Sequence, residues 1–419
     1  MTIKKSMAFK GWLICLLGAV FYWYEYLLRI EPSVVVTELM QQLNVTASGF
    51  GLITAFYYYS YTPMQLAVGV LLDRYGTKLI LSMCICFCVL GSFFFSIASS
   101  VFVASAARFL IGFGSAFAFV GVMKLGAEWL PKQHFAFLAG LATSLGMLGG
   151  MTGDIILAAF LNDFGLAKVL HLGTLIGIIL IPFIFIFIKD TPHPKNPNPE
   201  LNISLGKTLS GLKAIIKNPH MWICGLIANT LYLSLTAFAE LWGIKFLQTV
   251  YNLEAQKASL ACSAVFFGWL VCGPFNGWLS DRINSRKIPL LFGGILGAAT
   301  ITLIILKPFT ISFSLLCVFL FLFGSFCSTQ ILCFAISKEN NHHHLAATSI
   351  AFTNFLVMIG GMVFQPLIGF LLDFVWSGSM INNIRVYSTA NYQLVFLTIP
   401  LCILIGSFLT TKLPETLKK

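Results

Sequence analysis

Charge is scarce in this chain: Asp, Glu, Lys and Arg make up only 10% of its residues, while 58% are hydrophobic and the mean hydropathy is +0.88. A soluble protein of 419 residues needs far more polar surface, so the composition excludes that class and points to a polytopic membrane protein. Enzymatic signatures are missing as well. There is no Walker phosphate loop, no G-x-S-x-G turn and no zinc-ligand spacing. Those absences weigh against an enzyme and against ATP-driven transport by this chain alone, and no cofactor or metal is expected. The eleven Cys lie almost entirely in apolar runs, and of Cys84, Cys86 and Cys88 only the first and last share a helical face. They suit buried packing better than metal ligation. No small-residue cleavage site follows the basic start at Lys4, Lys5 and Lys10, so the first apolar run is expected to be a retained span.

What the chain does have is apolar segments of the length that crosses a bilayer, roughly 20 residues. Twelve qualify, near 10–30, 49–72, 79–99, 101–123, 134–160, 168–188, 219–243, 258–280, 288–306, 309–333, 345–372 and 391–411. The longest polar interruption, 189–218, falls between the sixth and seventh, giving an all-α polytopic protein of two six-helix bundles, 1–188 and 219–419, joined by a cytoplasmic linker. With both termini cytoplasmic, 19 of the 26 Lys and Arg face the cytoplasm; the other 7 are Arg29, Arg108, Lys168, Lys245, Lys257, Lys307 and Arg385. The net charge of +11 therefore belongs to the inner face and implies membrane lipids rather than nucleic acid as its neighbour. The linker opens with a Pro-rich stretch, Thr191 to Pro199. It continues with Leu205, Leu209, Leu212 and Ile216 at helical spacing, which fits an amphipathic helix on the inner leaflet or a solvated tether.

One stretch is duplicated. Gly69 to Lys78 reads G-V-L-L-D-R-Y-G-T-K, and Gly277 to Arg286 reads G-W-L-S-D-R-I-N-S-R, each after the second apolar segment of its half. Gly69 and Gly277 would let a helix end approach a neighbour closely. Asp73 and Asp281 sit at helix C-termini, where the dipole disfavours an anion, so each should have a cationic or helix-end partner. Gly76 supplies the turn; Asn284, which replaces it in the second copy, also tolerates left-handed backbone. Arg74, Lys78, Arg282 and Arg286 stay at the cytoplasmic interface.

These loops resemble the signature of the major facilitator superfamily. The run Arg108-x-x-x-Gly112-x-Gly114 resembles its fourth-helix motif, and Gly140, Gly146, Gly149, Gly150 and Gly153 its close-packing fifth helix. The resemblance implies the major facilitator fold, with the two loops (Gly69, Asp73, Arg74, Gly76, Lys78; Gly277, Asp281, Arg282, Arg286) acting as a cytoplasmic latch released during alternating access.

Charges inside a bilayer cost a few kcal/mol or more unless paired or hydrated, so they are candidate functional groups. Glu25 and Arg29 lie at i,i+4 on the first helix with Tyr22 one turn below, a pair that suits a zwitterionic solute, with Arg29 for a carboxylate and Glu25 for an ammonium or a proton. An interfacial salt bridge in an aromatic belt would show the same spacing. Arg108 and Asp154 are further candidates and could pair with each other. In the second half Asn229, Tyr232 and Glu240 stand on the seventh helix, with Glu240 expected near the outer boundary, and Asn354 on the eleventh. Of the run Tyr57, Tyr58, Tyr59 and Tyr61, at most one or two can line a cavity; Tyr58 is the one we select. His342, His343 and His344 read as a solvated loop.

Below the superfamily, E-Y-L-L-R-I-E-P-S (Glu25 to Ser33), Y-Y-Y-S-Y-T-P-M-Q (Tyr57 to Gln65), R-F-L-I-G-F-G-S-A-F-A-F-V-G (Arg108 to Gly121) and E-L-W-G (Glu240 to Gly243) are similar to bacterial intraphagosomal amino-acid transporters. The wider group is similar to lysosomal dipeptide carriers. The resemblance implies a carrier of amino acids or short peptides, with protons as the coupling ion, in a bacterial inner membrane. A facilitative dipeptide uniporter, a metabolite or siderophore exporter and a non-transporting sensor with this fold remain the alternatives.

Overall fold

No water is present in hydrocarbon to satisfy a backbone N–H or C=O, so apolar segments of this length can only be helices. The computed structural model describes residues 2–131, 134–190, 205–342, 345–381 and 384–417. The Pro-rich start of the linker, together with His343 and His344, lies outside them. The first part of the chain comprises α1 (Thr2–Val34), α2 (Val36–Leu43), α3 (Ala47–Met64), α4 (Val68–Tyr75), α5 (Thr77–Ser96), α6 (Val101–Ser115), α7 (Ala118–Trp129), α8 (Phe135–Phe164) and α9 (Leu166–Phe187). After α10 (Leu205–Ile216) come α11 (Pro219–Leu233), a π-helical stretch (Ser234–Trp242), α12 (Gly243–Tyr251), α13 (Ala255–Ile283), α14 (Lys287–Leu306), α15 (Phe313–Cys327), α16 (Ile331–Glu339) and α17 (Ala346–Phe374). A small antiparallel hairpin, β1 (Met380–Ile381) and β2 (Ile384–Arg385), precedes α18 (Thr389–Phe396) and α19 (Thr398–Thr410).

Among the described residues, 11 helices are long and apolar enough to cross a membrane. Several are composites: α6 and α7 form one stretch, as do α11 to α12, α15 with α16, and α18 with α19. The segment expected at 49–72 differs. It is interrupted at residues 65–67, after Pro63, and resumes as α4. Pro63 removes one backbone donor and crowds the preceding turn, which favours such a break. Its four tyrosines also make α3 less apolar than its neighbours.

Glycines set how closely the helices stand. A Cβ at Gly112 on α6 would lie 2.0 Å from the Tyr57 carbonyl oxygen, so α6 and α3 touch backbone to backbone. A Cβ at Gly149 on α8 would lie 2.4 Å from the Trp23 carbonyl on α1. The expected glycine stretch thus does what its composition suggested, except at Gly140, which has open space around it. The first helices (α1, α5–α9) pack mainly on one another, as do α11–α19, whereas α3 packs most against α17 of the second set. The two sets meet along α3 with α17 and α8 with α13.

The ends of the molecule differ. At the end opposite the linker, called here the far face, Ser48 N donates to Asp373 Oδ2 (2.9 Å), Ala47 N donates to the Tyr387 hydroxyl (3.1 Å), and Lys245 Nζ donates to Thr37 Oγ1 (2.8 Å). All three join residues of the first set to residues of the second. On the linker side, α10 packs Ile215 against Met221, Phe352 and Leu356. Ile215 turns inward, while Ile216, on the expected apolar face, stays 43% exposed.

Gly112→Leu should lower the melting temperature of the detergent-solubilised protein, since overpacking a tight contact costs about 1–3 kcal/mol or more. Gly140→Ala, with nothing within 4 Å of the new methyl, should leave it unchanged.

Candidate functional site

The centre of the molecule is held by one arginine. Arg29 is only 2% exposed, and its Nη2 donates to Glu25 Oε1 one turn earlier on α1 (2.5 Å). Its Nε donates to the Tyr57 hydroxyl (3.0 Å), which in turn donates to Glu25 Oε1 (3.2 Å). Its Nη1 lies 3.7 Å from Glu240 Oε1, across the boundary between the two helix sets. The Tyr58 hydroxyl donates to the other oxygen of Glu240. Around the guanidinium stand the rings of Tyr26, Tyr61 and Tyr57, at 4.3, 4.9 and 5.4 Å. Such faces suit a delocalised cation. A further link joins the sets where the Tyr26 and Tyr232 hydroxyls lie 3.0 Å apart.

Local structure explains this convergence. Glu240 is fully buried on the π-helical stretch, not at the outer boundary where its place in the seventh segment suggested. One extra residue per turn rotates the side chains that follow, and such stretches are frequent at functional sites. Arg108 is explained by a proline. Pro32 has no N–H, so the carbonyl of Leu28 lacks its helical partner. Arg108 Nη1 donates to that oxygen (2.7 Å) and Nη2 to the Arg29 carbonyl (3.2 Å). Its guanidinium braces α1 directly behind Arg29.

The remaining expected residues fall into different roles. Asp154 is fully buried but does not pair with Arg108; Asp154 Oδ1 accepts from the Ser33 hydroxyl (3.1 Å). Tyr22 is held by packing, edge-on to Tyr26 and against Gly146. Asn229 donates to the Leu356 and Val357 carbonyls (2.8 and 3.2 Å), tying α11 to α17 away from the charges. Asn354 Nδ2 donates to Gln65 Oε1 (2.9 Å), a link between the helix sets on the linker side of the cluster. Sequence reasoning passed over Tyr26, Tyr57, Tyr61 and Glu31. Glu31 is fully buried, and neither of its oxygens has a hydrogen-bond partner among the described residues. The rule that selected Glu25 and Arg29 applies equally to Glu31, but Glu31 lies one residue past the expected first span, 10–30.

The duplicated loops bear out some details and correct one. Gly76 has φ +86° and Asn284 φ +54°, as their turns require. Gly69 and Gly277, however, have nothing within 4 Å of where a Cβ would stand, so neither marks a close helix approach. Asp73 pairs with Lys124 at 2.7 Å, and Asp190 accepts from Lys78 N (2.9 Å) at the start of α5. Arg74 lies over its neighbour Tyr75, and Arg282 over Trp278. Arg286 bridges Asp281 (2.6 Å) and Glu339 (2.8 Å). All of these contacts stay within one helix set. Glu415 reaches back from the tail, accepting from the Ser285 hydroxyl (2.5 Å) and from Arg286 N (2.9 Å).

The chain matches the Major Facilitator Superfamily over residues 14–365. It belongs to that superfamily. It is therefore an integral multi-pass membrane protein of the transporter class, and the family's members are not enzymes. Among its relatives, a probable sulfoacetate transporter of Cupriavidus necator is 23% identical over 66% of this chain and 68% of its own length. A probable L-galactonate transporter of Escherichia coli is 25% identical over 83% of this chain and 80% of its own. A bacterial homolog of the human lysosomal transporter Spinster, in an inward-facing and unoccupied conformation, superposes with a TM-score of 0.77 at 14% identity, covering 96% of both chains. That last likeness concerns the fold alone. The names of the two relatives speak of organic anions, not of the amino acids that the local resemblances implied.

Arg29→Met would leave two carboxylates buried without their cation, which typically costs about 3–5 kcal/mol. Melting temperature should fall sharply in the single variant and recover in large part when Glu25→Gln and Glu240→Gln are added. Partial burial pushes the Glu415 carboxyl up, but hydrogen bonds from Ser285, Arg286 N and Lys287 N outweigh it and hold its pKa below the usual value. Its contribution should be complete above the unfolded pKa of about 4.3 and disappear as pH falls through the lower folded value. Protection of the Thr416 and Leu417 amides, taken relative to the intrinsic exchange rate at each pH, should fall over that range, and Glu415→Gln should leave that protection low throughout.

Proposed function

We propose that this protein is a proton-coupled secondary carrier of small carboxylate-bearing solutes, with amino acids or short peptides as the first substrate class. The supporting observation is that a single buried cation, Arg29, is shared by carboxylates from both helix sets, Glu25 and Glu240. Each of those carboxylates keeps one oxygen without a hydrogen-bond donor among the described residues. A substrate carboxylate would compete with Glu25 for Arg29. An ammonium group or a proton would compensate the acid excess, as a low-dielectric site demands. Exchange of those partners would loosen an ionic contact between the sets and so link binding to rocking of two bundles about a midplane site.

In this reading residues 1–188 and 219–419 are the moving bundles, α3 with α4 is the twelfth span, and the linker face is cytoplasmic. The inner membrane of a bacterium is the setting this reading takes. The loops at Gly69–Lys78 and Gly277–Arg286 would meet across the linker face in the opposite conformation. A second reading, an organic-anion carrier without an amine requirement, is favoured by the names of the two relatives above. There, protonation of Glu25 would free Arg29 for the anion.

Uptake into liposomes reconstituted with the protein decides between them. The panel is single amino acids, dipeptides, D-galactonate and sulfoacetate, with and without an inward proton gradient. The first reading expects gradient-stimulated uptake that needs the α-amine; the second expects uptake of the two acids lacking it. Transport of no panel member would end both. Arg29→Lys should reduce uptake strongly, because a point charge cannot replace the forked donor. Glu25→Gln should remove the response to the gradient; an unchanged response would dismiss Glu25 as the proton carrier.

A further inference from the structure

On the far face, a cavity of about 250 Å³ opens between the two helix sets, and none of the charged cluster around Arg29 lines it. Thr37 and Gln41 line it from the first set, and Lys245, Arg385 and Tyr387 from the second. Its two charged lining residues are both cations. Lys245 is half-buried on α12, and its ammonium donates to Thr37 Oγ1 (2.8 Å); it has no ion pair among the described residues. Half-buried Glu38 acts on it through charge without reaching pairing distance. Arg385 lies 4.4 Å over the ring of Trp376, with Nη1 3.1 Å from Asp373 Oδ1. That same carboxylate accepts from the Tyr387 hydroxyl (2.5 Å) and from Ser48 N at the start of α3 (2.9 Å). The wall of the cavity is therefore also the strap that holds α17 to α3.

We propose that this cavity is a second, outer binding site for a small carboxylate, held between Lys245 and Arg385. A partly dehydrated ammonium without an acid partner favours an anion. The volume is below that of sites for drug-sized ligands, which restricts the occupant to a small solute. An anion there draws on Arg385, the cation that Asp373 uses, and so competes with the contact that fastens the far face. The site's place on the transport route rests on the carboxylate-carrier reading; binding itself does not.

The test uses the full chain with D-gluconate as probe and sorbitol as its neutral counterpart. Binding is read by calorimetry in detergent, and uptake in liposomes with whichever acid the carrier accepts. Gluconate should bind and sorbitol should not. Lys245→Gln and Arg385→Gln should each weaken binding by about tenfold or more, the scale of losing one charged partner, and raise KM similarly while kcat stays within about twofold. Lys245→Arg, which keeps the charge, should restore most of the affinity. Gluconate binding unchanged in both Gln variants, or equal binding of sorbitol, overturns the proposal. Absence of uptake with binding still dependent on Lys245 defeats only the central reading, whereas normal carboxylate uptake indifferent to Lys245 and Arg385 defeats only this one.

Discussion

A single guanidinium between two carboxylates, out of reach of water, is the constraint on which the centre of this protein depends. Charges in that environment interact strongly and are expensive when unpaired, so their neighbours must be placed to hold them. Three tyrosine rings surround Arg29, two tyrosine hydroxyls are spent on Glu25 and Glu240, and Arg108 is anchored on the carbonyl that Pro32 leaves free. Because Glu240 comes from the second helix set, this one polar contact also joins the two. The buried charge cluster and a joint between the two helix sets are here the same atoms.

Packing supplies the rest of the frame. Backbone contacts at Gly112 and Gly149 bring α3 and α8 close enough to α6 and α1 for short side chains to matter, and α3 in turn carries Tyr57 and Tyr58 to the arginine. The two ends of the molecule are then asymmetric. The far face is fastened across the sets by Asp373, Tyr387 and Lys245. On the linker face the charges of both signature loops are satisfied inside their own set.

Much of this was legible from residues alone. The spans follow from hydropathy because a bilayer leaves the backbone no alternative, and Glu25, Arg29, Tyr58 and Glu240 were marked by the cost of charge or hydroxyls in apolar runs. Other residues were less legible. Asn354 reads in sequence either as a cavity group or as a hydrogen bond to a neighbouring helix, and it is the second. Asn229 reads as a cavity group yet is likewise a strut between helices, since a buried amide needs a partner and a neighbouring carbonyl is as good as a solute. Tyr57 and Tyr58 are adjacent, and the sequence reading favours Tyr58 alone. Both reach the cluster, because one contacts Glu25 within its own set and the other Glu240 across the boundary. Glu31 falls just past the expected first span, 10–30, whereas α1 continues to Val34 and carries it into the core.

Sequence by itself determined that the chain is a helical membrane protein, that it carries the duplicated loops of its superfamily, and that a glutamate and an arginine share one face of the first helix. These are local properties: hydropathy, spacing and the steric demands of a turn act over a few residues. Which carboxylate meets Arg29 from the other half, that Arg108 braces α1 instead of pairing with Asp154, and that Lys245 and Arg385 share a cavity were decided only by the tertiary structure. Those contacts join residues about 80 to 210 positions apart, and their geometry is set by how helices cross and where a π-helical turn shifts the register, which no local pattern encodes.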